Sequence, residues 1–209
     1  MASAERWTKR LRLEPIGRDS ADRLLELPQD PGVAAWDGDA WTEERAASFA
    51  ATVAEQWARD GVGKWLAYDR EGSRLVGRGG LSYVELLGRR QLEVGWAIRE
   101  QRWGRGLATE IGRAALHVAF DELGPQQVVA FTEVHSIASR RVMHRAWGRT
   151  TCRTFAARAS SPAATSSATT PPSPCTAFGV PADDRLPGRQ VPPVGTGAVA
   201  PTSVTSSSR

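Results

Sequence analysis

A sharp change in composition near residue 155 limits how much of this 209-residue chain can fold. All eight tryptophans lie between Trp7 and Trp147, whereas nine of the thirteen prolines lie after residue 156. Residues 157–209 also contain sixteen serines and threonines. Such a segment has too little apolar surface to offset the entropy lost on ordering. The sequence therefore predicts one folded domain over residues 1–155 and a disordered tail, rich in Pro, Ser, Thr and Ala, over residues 156–209.

The formal net charge of +4 comes from the C-terminal end of the chain, after residue 134. Residues 1–134 contain 18 Lys and Arg against 21 Asp and Glu, whereas residues 135–209 contain nine Arg against two Asp. Residues 1–134 are therefore slightly acidic and do not show the clustered basic face that binds phosphate backbones. Nucleic acid is not an expected partner.

The remaining composition favours a cytoplasmic protein. No stretch approaches the run of ~20 apolar residues that spans a bilayer. The N-terminal sequence MASAERWTKR lacks the apolar segment of a secretory signal, so neither export nor a membrane partner is expected. Two cysteines and three histidines are too few for a disulfide framework or a multi-histidine centre, so no metal is expected either.

Hydrophobic periodicity predicts alternating strands and helices within the domain. Pro28 and Pro31 are expected to end the first helix, and the second begins at a Thr42 cap and ends at Gly61. The predicted elements are a strand at 10–14, helices at 21–27 and 43–60, strands at 64–68, 75–87 and 91–99, a helix at 107–123, a strand at 127–134 and a last helix from Ser139. This order predicts an α/β layered domain.

A glycine-rich turn between the strand at 91–99 and the helix at 107–123 carries the strongest chemical signal. Backbone N–H groups at such a turn, together with the positive end of a helix dipole, bind pyrophosphate well. Gly104 and Gly106 would let the backbone approach a phosphate closely, and Arg102 and Arg105 add positive charge. Thr109 breaks the dinucleotide fingerprint G-x-G-x-x-G, and no lysine follows as in a P-loop. The same residues also fit an ordinary helix start with two structural glycines.

Five segments then follow one another in a recognisable order. They are KWLAYD (64–69), LVGRGGL (75–81), LEVGW (92–96), WGRGLATE (103–110) and ASRRVM (138–143). Their succession resembles the GNAT acetyltransferase superfamily, most closely its ribosomal-protein-alanine acetyltransferase-like (RimJ/RimL-like) branch. The resemblance covers about residues 8–145. It implies a GNAT-type acyl-CoA N-acyltransferase fold, an α/β fold with a mixed, mostly antiparallel central sheet flanked by helices.

The resemblance also implies a site for acetyl-CoA as co-substrate. The family motif Q/R-x-x-G-x-G/A fits in two registers, from Gln101 or from Trp103, and the second matches the branch pattern Trp-Gly-x-Gly-x-Ala. The pyrophosphate would then be held by Trp103, Gly104, Arg105, Gly106, Leu107, Ala108 and Thr109. The strands at 91–99 and 127–134 would splay apart, and the pantetheine arm would lie between them. Its expected contacts are the backbone of Trp96, Ala97 and Ile98, and Ser136 where many relatives have Asn.

Acyl transfer in this family resembles direct attack of a neutral amine on the thioester within a ternary complex. Glu93 is the best candidate for the general base, because it lies on a core strand upstream of the cofactor site. Its alternative role is a strand carboxylate paired with an arginine such as Arg78 or Arg90, and Glu133 is a second candidate base. Many relatives supply a Tyr from the last helix to protonate the thiolate, but this chain has Met143 there.

The C-terminal part departs from the family. Relatives usually continue with two more strands, whereas here helical pattern is lost soon after Met143, so the C-terminal strands are expected to be missing or degenerate. One hypothesis is a shift of reading frame near residue 144. The leading function is acetyl transfer to a protein N-terminus or a small-molecule amine, by a monomer or homodimer. The alternative is a catalytically impaired module that binds CoA or a partner protein.

Overall fold

The computed structural model describes residues 4–37, 41–71, 74–86, 88–133, 136–147, 151–155 and 175–181. Eight strands within these residues form one sheet. They are β1 (Arg6–Trp7), β2 (Leu11–Pro15), β3 (Lys64–Asp69), β4 (Leu75–Leu86), β5 (Arg89–Ile98), β6 (Gln127–Glu133), β7 (Thr151–Phe155) and β8 (Cys175–Pro181). The order across the sheet is β1-β2-β3-β4-β5-β6-β8-β7. Every neighbouring pair is antiparallel except β5 and β6, which run parallel.

Five α-helices cover the two faces of this sheet in the described part of the chain. They are α1 (Ala21–Glu26), α2 (Pro31–Asp37), α3 (Glu43–Asp60), α4 (Leu107–His117) and α5 (Ile137–Trp147). One core cluster joins α4 and α5 to the sheet and includes Ile111 and Met143, both fully buried. A second cluster joins α1, α2 and α3 to the opposite face and includes Leu24 and Val53. The predicted α/β sheet flanked by helices is confirmed.

Local capping explains the ends of α3. The Thr42 hydroxyl accepts a hydrogen bond from the Arg45 amide at 3.2 Å, and Glu43 and Glu44 lie in the first turn. Gly61 then ends the helix in the left-handed conformation, with φ 71°. Both ends agree with the sequence prediction, because cap chemistry depends on residues close together in the chain.

Helix α2 is absent from the predicted elements. Pro31 was expected to end a helix, but it is the first residue of α2. Proline fits the first turn of a helix because no intrahelical acceptor awaits its nitrogen. The buried Asp30 side chain caps the helix and accepts hydrogen bonds from the Gly32 and Val33 amides at 3.0 and 3.3 Å. The Asp-Pro pair was therefore the signal of a helix start.

Strands β7 and β8 lie in the C-terminal part of the chain, where the sequence predicts that strands are missing or degenerate. Strand β8 pairs along the whole of β6, from Gln127 opposite Pro181 to Glu133 opposite Cys175, and β7 pairs with β8. Strand β8 lies inside the stretch 156–209 for which the sequence predicts disorder. Its short apolar run AFGV lies among Pro, Ser and Thr residues, so the average composition of this stretch does not indicate a strand. Without β8, the backbone of β6 would form an unpaired sheet edge.

Helix α4 packs unusually close to the sheet. A Cβ placed on Gly79 of β4 would lie 2.7 Å from the Ile111 side chain, so only glycine permits this contact. Gly79 thus has a packing role within β4, which runs through it without a break. No helix in the described ranges is both long enough and apolar enough to cross a membrane.

Candidate functional site

The sheet opens between its two parallel strands. Strands β5 and β6 are paired only at Leu92 opposite Val128 and at Glu93 opposite Val129. Beyond these two pairs, β5 continues to Ile98 beside β4, while β6 continues to Glu133 beside β8. A wedge-shaped gap therefore runs from Val94 towards the ends of both strands, as the resemblance implied.

Backbone polar groups of β5 face this gap. The Arg99 amide donates to the Val76 carbonyl at 3.0 Å, and Ile98 lies opposite Gly77. Backbone N–H and C=O groups in an antiparallel ladder point towards the partner strand at every second residue. Because Arg99 bonds to β4, Ala97 also points its backbone groups towards β4, whereas Trp96 and Ile98 point theirs towards β6. Trp96 and Ile98 are thus placed to bond a ligand in the gap, whereas the polar groups of Ala97 are used within the sheet.

The glycine turn lies where the gap opens. Gly104 and Gly106 have φ values of 72° and 75°, a region that glycine adopts without the steric cost of a Cβ. Helix α4 begins directly after Gly106, and no side chain caps it. No acceptor in the described part of the chain is hydrogen-bonded to the amides of residues 104–109. Six successive free N–H groups at a helix start are suited to a diphosphate.

Trp103 anchors the turn to the strand before it. Its indole Nε1 donates to the Ile98 carbonyl at 2.7 Å, and its ring packs against Gly32 of α2. About half of the Trp103 side chain stays exposed. Arg102 lies 3.5 Å from the Asp69 carboxylate, so it is tied to β3 rather than mobile at the rim. Arg105 remains exposed beside the turn.

The other predicted contacts of the cofactor lie on α4 and immediately before α5. Leu107 and Thr109 are buried, and Ala108 is half-buried against the core of the α4 face. Ser136 immediately precedes α5, where its carbonyl accepts the Arg140 amide at 3.1 Å. Since α5 follows β6, this places Ser136 near the end of the second strand that borders the gap.

Glu93 lies on the face of β5 opposite α4, and neither predicted arginine binds it. Its Oε2 accepts the Ser82 hydroxyl at 2.7 Å and lies 3.3 Å from the Lys64 ammonium. Among the described residues no donor is hydrogen-bonded to Oε1. The suggested pairing with Arg78 or Arg90 is wrong, because these arginines bind Asp37 and Asp60 instead.

A buried ion pair that sequence reasoning missed lies on the same face. The Arg78 guanidinium bonds the Asp37 carboxylate, and only 12% and 6% of the two side chains are exposed. The rings of Trp41 and Phe49 lie 5.4 and 5.2 Å from the guanidinium. Burial raises the pKa of Asp37 above its ordinary value, although Arg78 opposes this. Nothing in the local sequence around Asp37 marks this pairing over 41 residues.

The remaining candidates are less well placed. Glu133 is half-buried at the end of β6. Met143 is fully buried in the core between α5 and the sheet, where relatives were expected to carry a Tyr. In the part of the chain described by the structure, no three His, Cys, Asp or Glu side chains are grouped to hold a metal ion.

Comparison with protein families gives a match over most of the domain. The family model described as "Acetyltransferase (GNAT) domain" matches residues 10–146. These bounds agree with the region of about residues 8–145 over which the sequence resembles that superfamily.

Curated relatives and solved structures agree with this match. FsC-acetyl coenzyme A-N(2)-transacetylase of Aspergillus fumigatus is 29% identical over 150 residues, which are 65% of this chain and 61% of that enzyme. The chain spans only 49% of the length of a second curated relative, from Bacillus subtilis. Ribosomal-protein-S5-alanine acetyltransferase from Vibrio fischeri shares the fold at 11% identity, with a TM-score of 0.68 over 88% of this chain and 100% of that chain. AAC(6′)-Ib in complex with paromomycin and acetyl-CoA also shares it, at 14% identity, with a TM-score of 0.63 over 86% and 99%.

Proposed function

The chain belongs to the GNAT acetyltransferase family, and we propose that it transfers the acetyl group of acetyl-CoA to a primary amine in a ternary complex. The acceptor is a protein N-terminus or a small-molecule amine, and the reaction takes place in the cytoplasm. One observation carries the proposal: the gap between β5 and β6 leads directly to the free amides of residues 104–109. A backbone gap beside an anion-binding turn fits a molecule that carries an amide-containing arm on a diphosphate.

The residues present fit acetyl-CoA as co-substrate. The pantetheine arm would add to β5 like a strand, through the N–H and C=O of Trp96 and the N–H of Ile98, since backbone groups at a sheet edge need partners. The amides of Gly104 to Thr109 would hold the diphosphate, and Arg105 would add charge at the rim. Space beside Gly104 supports this, because a Cβ there meets no protein atom within 4 Å. Bound acetyl-CoA supplies the thioester that is the acetyl donor.

Glu93 is the proposed general base. The amine nitrogen attacks the thioester carbonyl carbon, the carbon–sulfur bond breaks, and the amine proton passes to Glu93 Oε1 directly or through water. Ser82 and Lys64 bond the other oxygen and hold the carboxylate in place. Solvent protonates the departing thiolate, since Met143 has no acidic group.

A CoA-binding module without catalysis is the second candidate. Two observations favour it: Met143 stands where an acid was expected, and one oxygen of Glu93 is already bonded to Lys64 and Ser82. Such a protein would bind CoA as tightly as an active enzyme does.

Calorimetric titration with CoA, followed by turnover with an amine panel, separates these functions. The panel holds peptides with free N-terminal Ala or Ser, aminoglycosides and polyamines, and thiol release measures the rate. We expect CoA binding, turnover of at least one amine, and loss of turnover but not binding in Glu93→Gln. The matched control is Glu85→Gln, an exposed glutamate on the neighbouring strand β4. Binding without turnover of any amine supports the non-catalytic module, and absence of CoA binding rejects both functions.

A further inference from the structure

An N-terminal segment more than 95 residues away in the chain is bonded to the start of α4. Glu110 lies in the first turn of that helix. Its Oε1 accepts the Thr8 hydroxyl at 2.5 Å and the Arg10 amide at 2.7 Å. Its Oε2 accepts Arg10 Nε at 2.8 Å and lies 2.7 Å from Arg10 Nη2. Only 14% of the Glu110 side chain is exposed, so these hydrogen bonds are partly shielded from solvent.

The same arginine also bonds the glycine turn. Arg10 Nη1 donates to the Arg105 carbonyl, which lies between Gly104 and Gly106. A Cβ on Gly106 would lie 3.3 Å from Arg10 Nη2, so the guanidinium lies directly against the turn. The Glu110 amide in turn donates to the Gly106 carbonyl at 3.1 Å. Glu110 and Arg10 thus fix two successive carbonyls of a turn whose amides stay free.

The charge of Glu110 makes this arrangement informative. A carboxylate one turn into a helix stabilises the helix itself, but it repels a phosphate bound at the same end. A site selected only for positive potential would therefore not carry Glu110. Burial raises the pKa of Glu110, but the hydrogen bonds from Thr8 and Arg10 outweigh it and hold the pKa below its ordinary value. The carboxylate is ionised at neutral pH, and Arg10 balances its charge.

We propose that Thr8, Arg10 and Glu110 form a positioning cluster that holds the Gly104–Gly106 turn in the conformation that binds a diphosphate. The inference rests on the proposed function, since it takes the turn to be the diphosphate site. The three side chains act through the turn and do not touch the reacting atoms. A diphosphate needs several amides aimed at one point, and a turn with two left-handed glycines has many other conformations to lose on binding.

Three variants test the cluster against plain electrostatics. Glu110→Gln removes a negative charge near the bound anion, so electrostatics alone predicts tighter CoA binding. The positioning role predicts the opposite, with CoA binding weakened about tenfold, because the amide group cannot accept all of these bonds. Thr8→Val removes the hydroxyl without changing charge and is expected to weaken binding severalfold. Thr8→Ser keeps the hydroxyl and should restore wild-type binding.

Glu122→Gln is the matched control. Glu122 bonds Arg6 at 2.9 and 3.0 Å and ties the same N-terminal segment to residues 118–123, at the far end of α4 from the turn. Calorimetric titration of the full chain with CoA gives the dissociation constant of each variant, and denaturant unfolding gives the folded fraction for correction. The control should bind CoA like the wild type.

Each outcome has one meaning. Weaker binding in Glu110→Gln and Thr8→Val, with wild-type binding in Thr8→Ser and Glu122→Gln, supports the cluster. Unchanged or tighter binding in Glu110→Gln overturns it and leaves the proposed function intact. Equal weakening in Glu122→Gln and Glu110→Gln also overturns it, since the effect would then be a general loss of structure. Absence of CoA binding in the wild type rejects the proposed function itself.

Discussion

Replacing Gly104 by alanine separates a ligand-binding turn from a merely structural one. Gly104 has a φ of 72°, so alanine there costs about 1–2 kcal/mol of backbone strain. A Cβ at this position meets no protein atom within 4 Å, so no steric cost inside the protein is added. Gly61, which ends α3, has a φ of 71° and is equally open. Gly61→Ala is therefore a control with the same strain in a place far from the turn in sequence.

Denaturant unfolding and CoA titration are measured for both variants. Each should lower the free energy of unfolding by the same ~1–2 kcal/mol, because the backbone cost is the same. Only Gly104→Ala should weaken CoA binding, by about tenfold or more, since its methyl group occupies the space that a diphosphate would enter. If both variants lose equal stability and bind CoA equally well, the turn is an ordinary helix start, and the reasoning behind the site fails.

Three further predictions concern other parts of the domain. Asp37→Asn removes the carboxylate that pairs with the buried Arg78 guanidinium and should lower the free energy of unfolding by about 3–5 kcal/mol; a loss below 1 kcal/mol, measured by denaturant, would contradict this. The fully buried Thr132 hydroxyl has no hydrogen-bond partner among the described residues. Thr132→Val should therefore raise the midpoint of thermal unfolding and increase the free energy of unfolding by about 1 kcal/mol. The low pKa of Glu110 stabilises the folded state above the unfolded value of about 4.3, and this contribution is lost as pH falls through the folded pKa. The stability difference between wild type and Glu110→Gln should therefore shrink with acidification, and a difference constant from pH 7 to pH 3 would refute the assignment.

Local chemistry explains which elements the sequence predicts well. Thr42 and Gly61 mark the ends of α3, and the turn before α4 is visible from Gly104 and Gly106, because each signal lies within a few residues. The Asp30 cap of α2 is equally local, but proline both ends helices and begins them, so Pro31 alone does not distinguish a helix end from a helix start.

Long-range contacts explain what the sequence could not predict. Thr8 and Glu110 are 102 positions apart, and no pattern around either residue specifies the other. The same holds for Glu93, whose partner is Lys64, 29 residues earlier, rather than either arginine expected. Such pairs follow from strand order and register, which only the assembled sheet determines. Local signals therefore predict the residues of the candidate site, whereas the side chains that bond to those residues over long distances in the chain are not predicted.

The sparse pairing of β5 with β6 has a mechanical consequence. Two residue pairs join one part of the sheet, β1 to β5, to the other, β6 with β8 and β7. An amide-bearing arm that forms hydrogen bonds with both β5 and β6 would act as a strand between them and make the whole sheet more rigid. Binding of the arm would then raise the free energy of unfolding, and this increase would grow with the logarithm of the ligand concentration. Hydrogen exchange at the Trp96 and Ile98 amides would report this bridging directly, so the acetyl donor would also serve as a reversible structural part of the sheet.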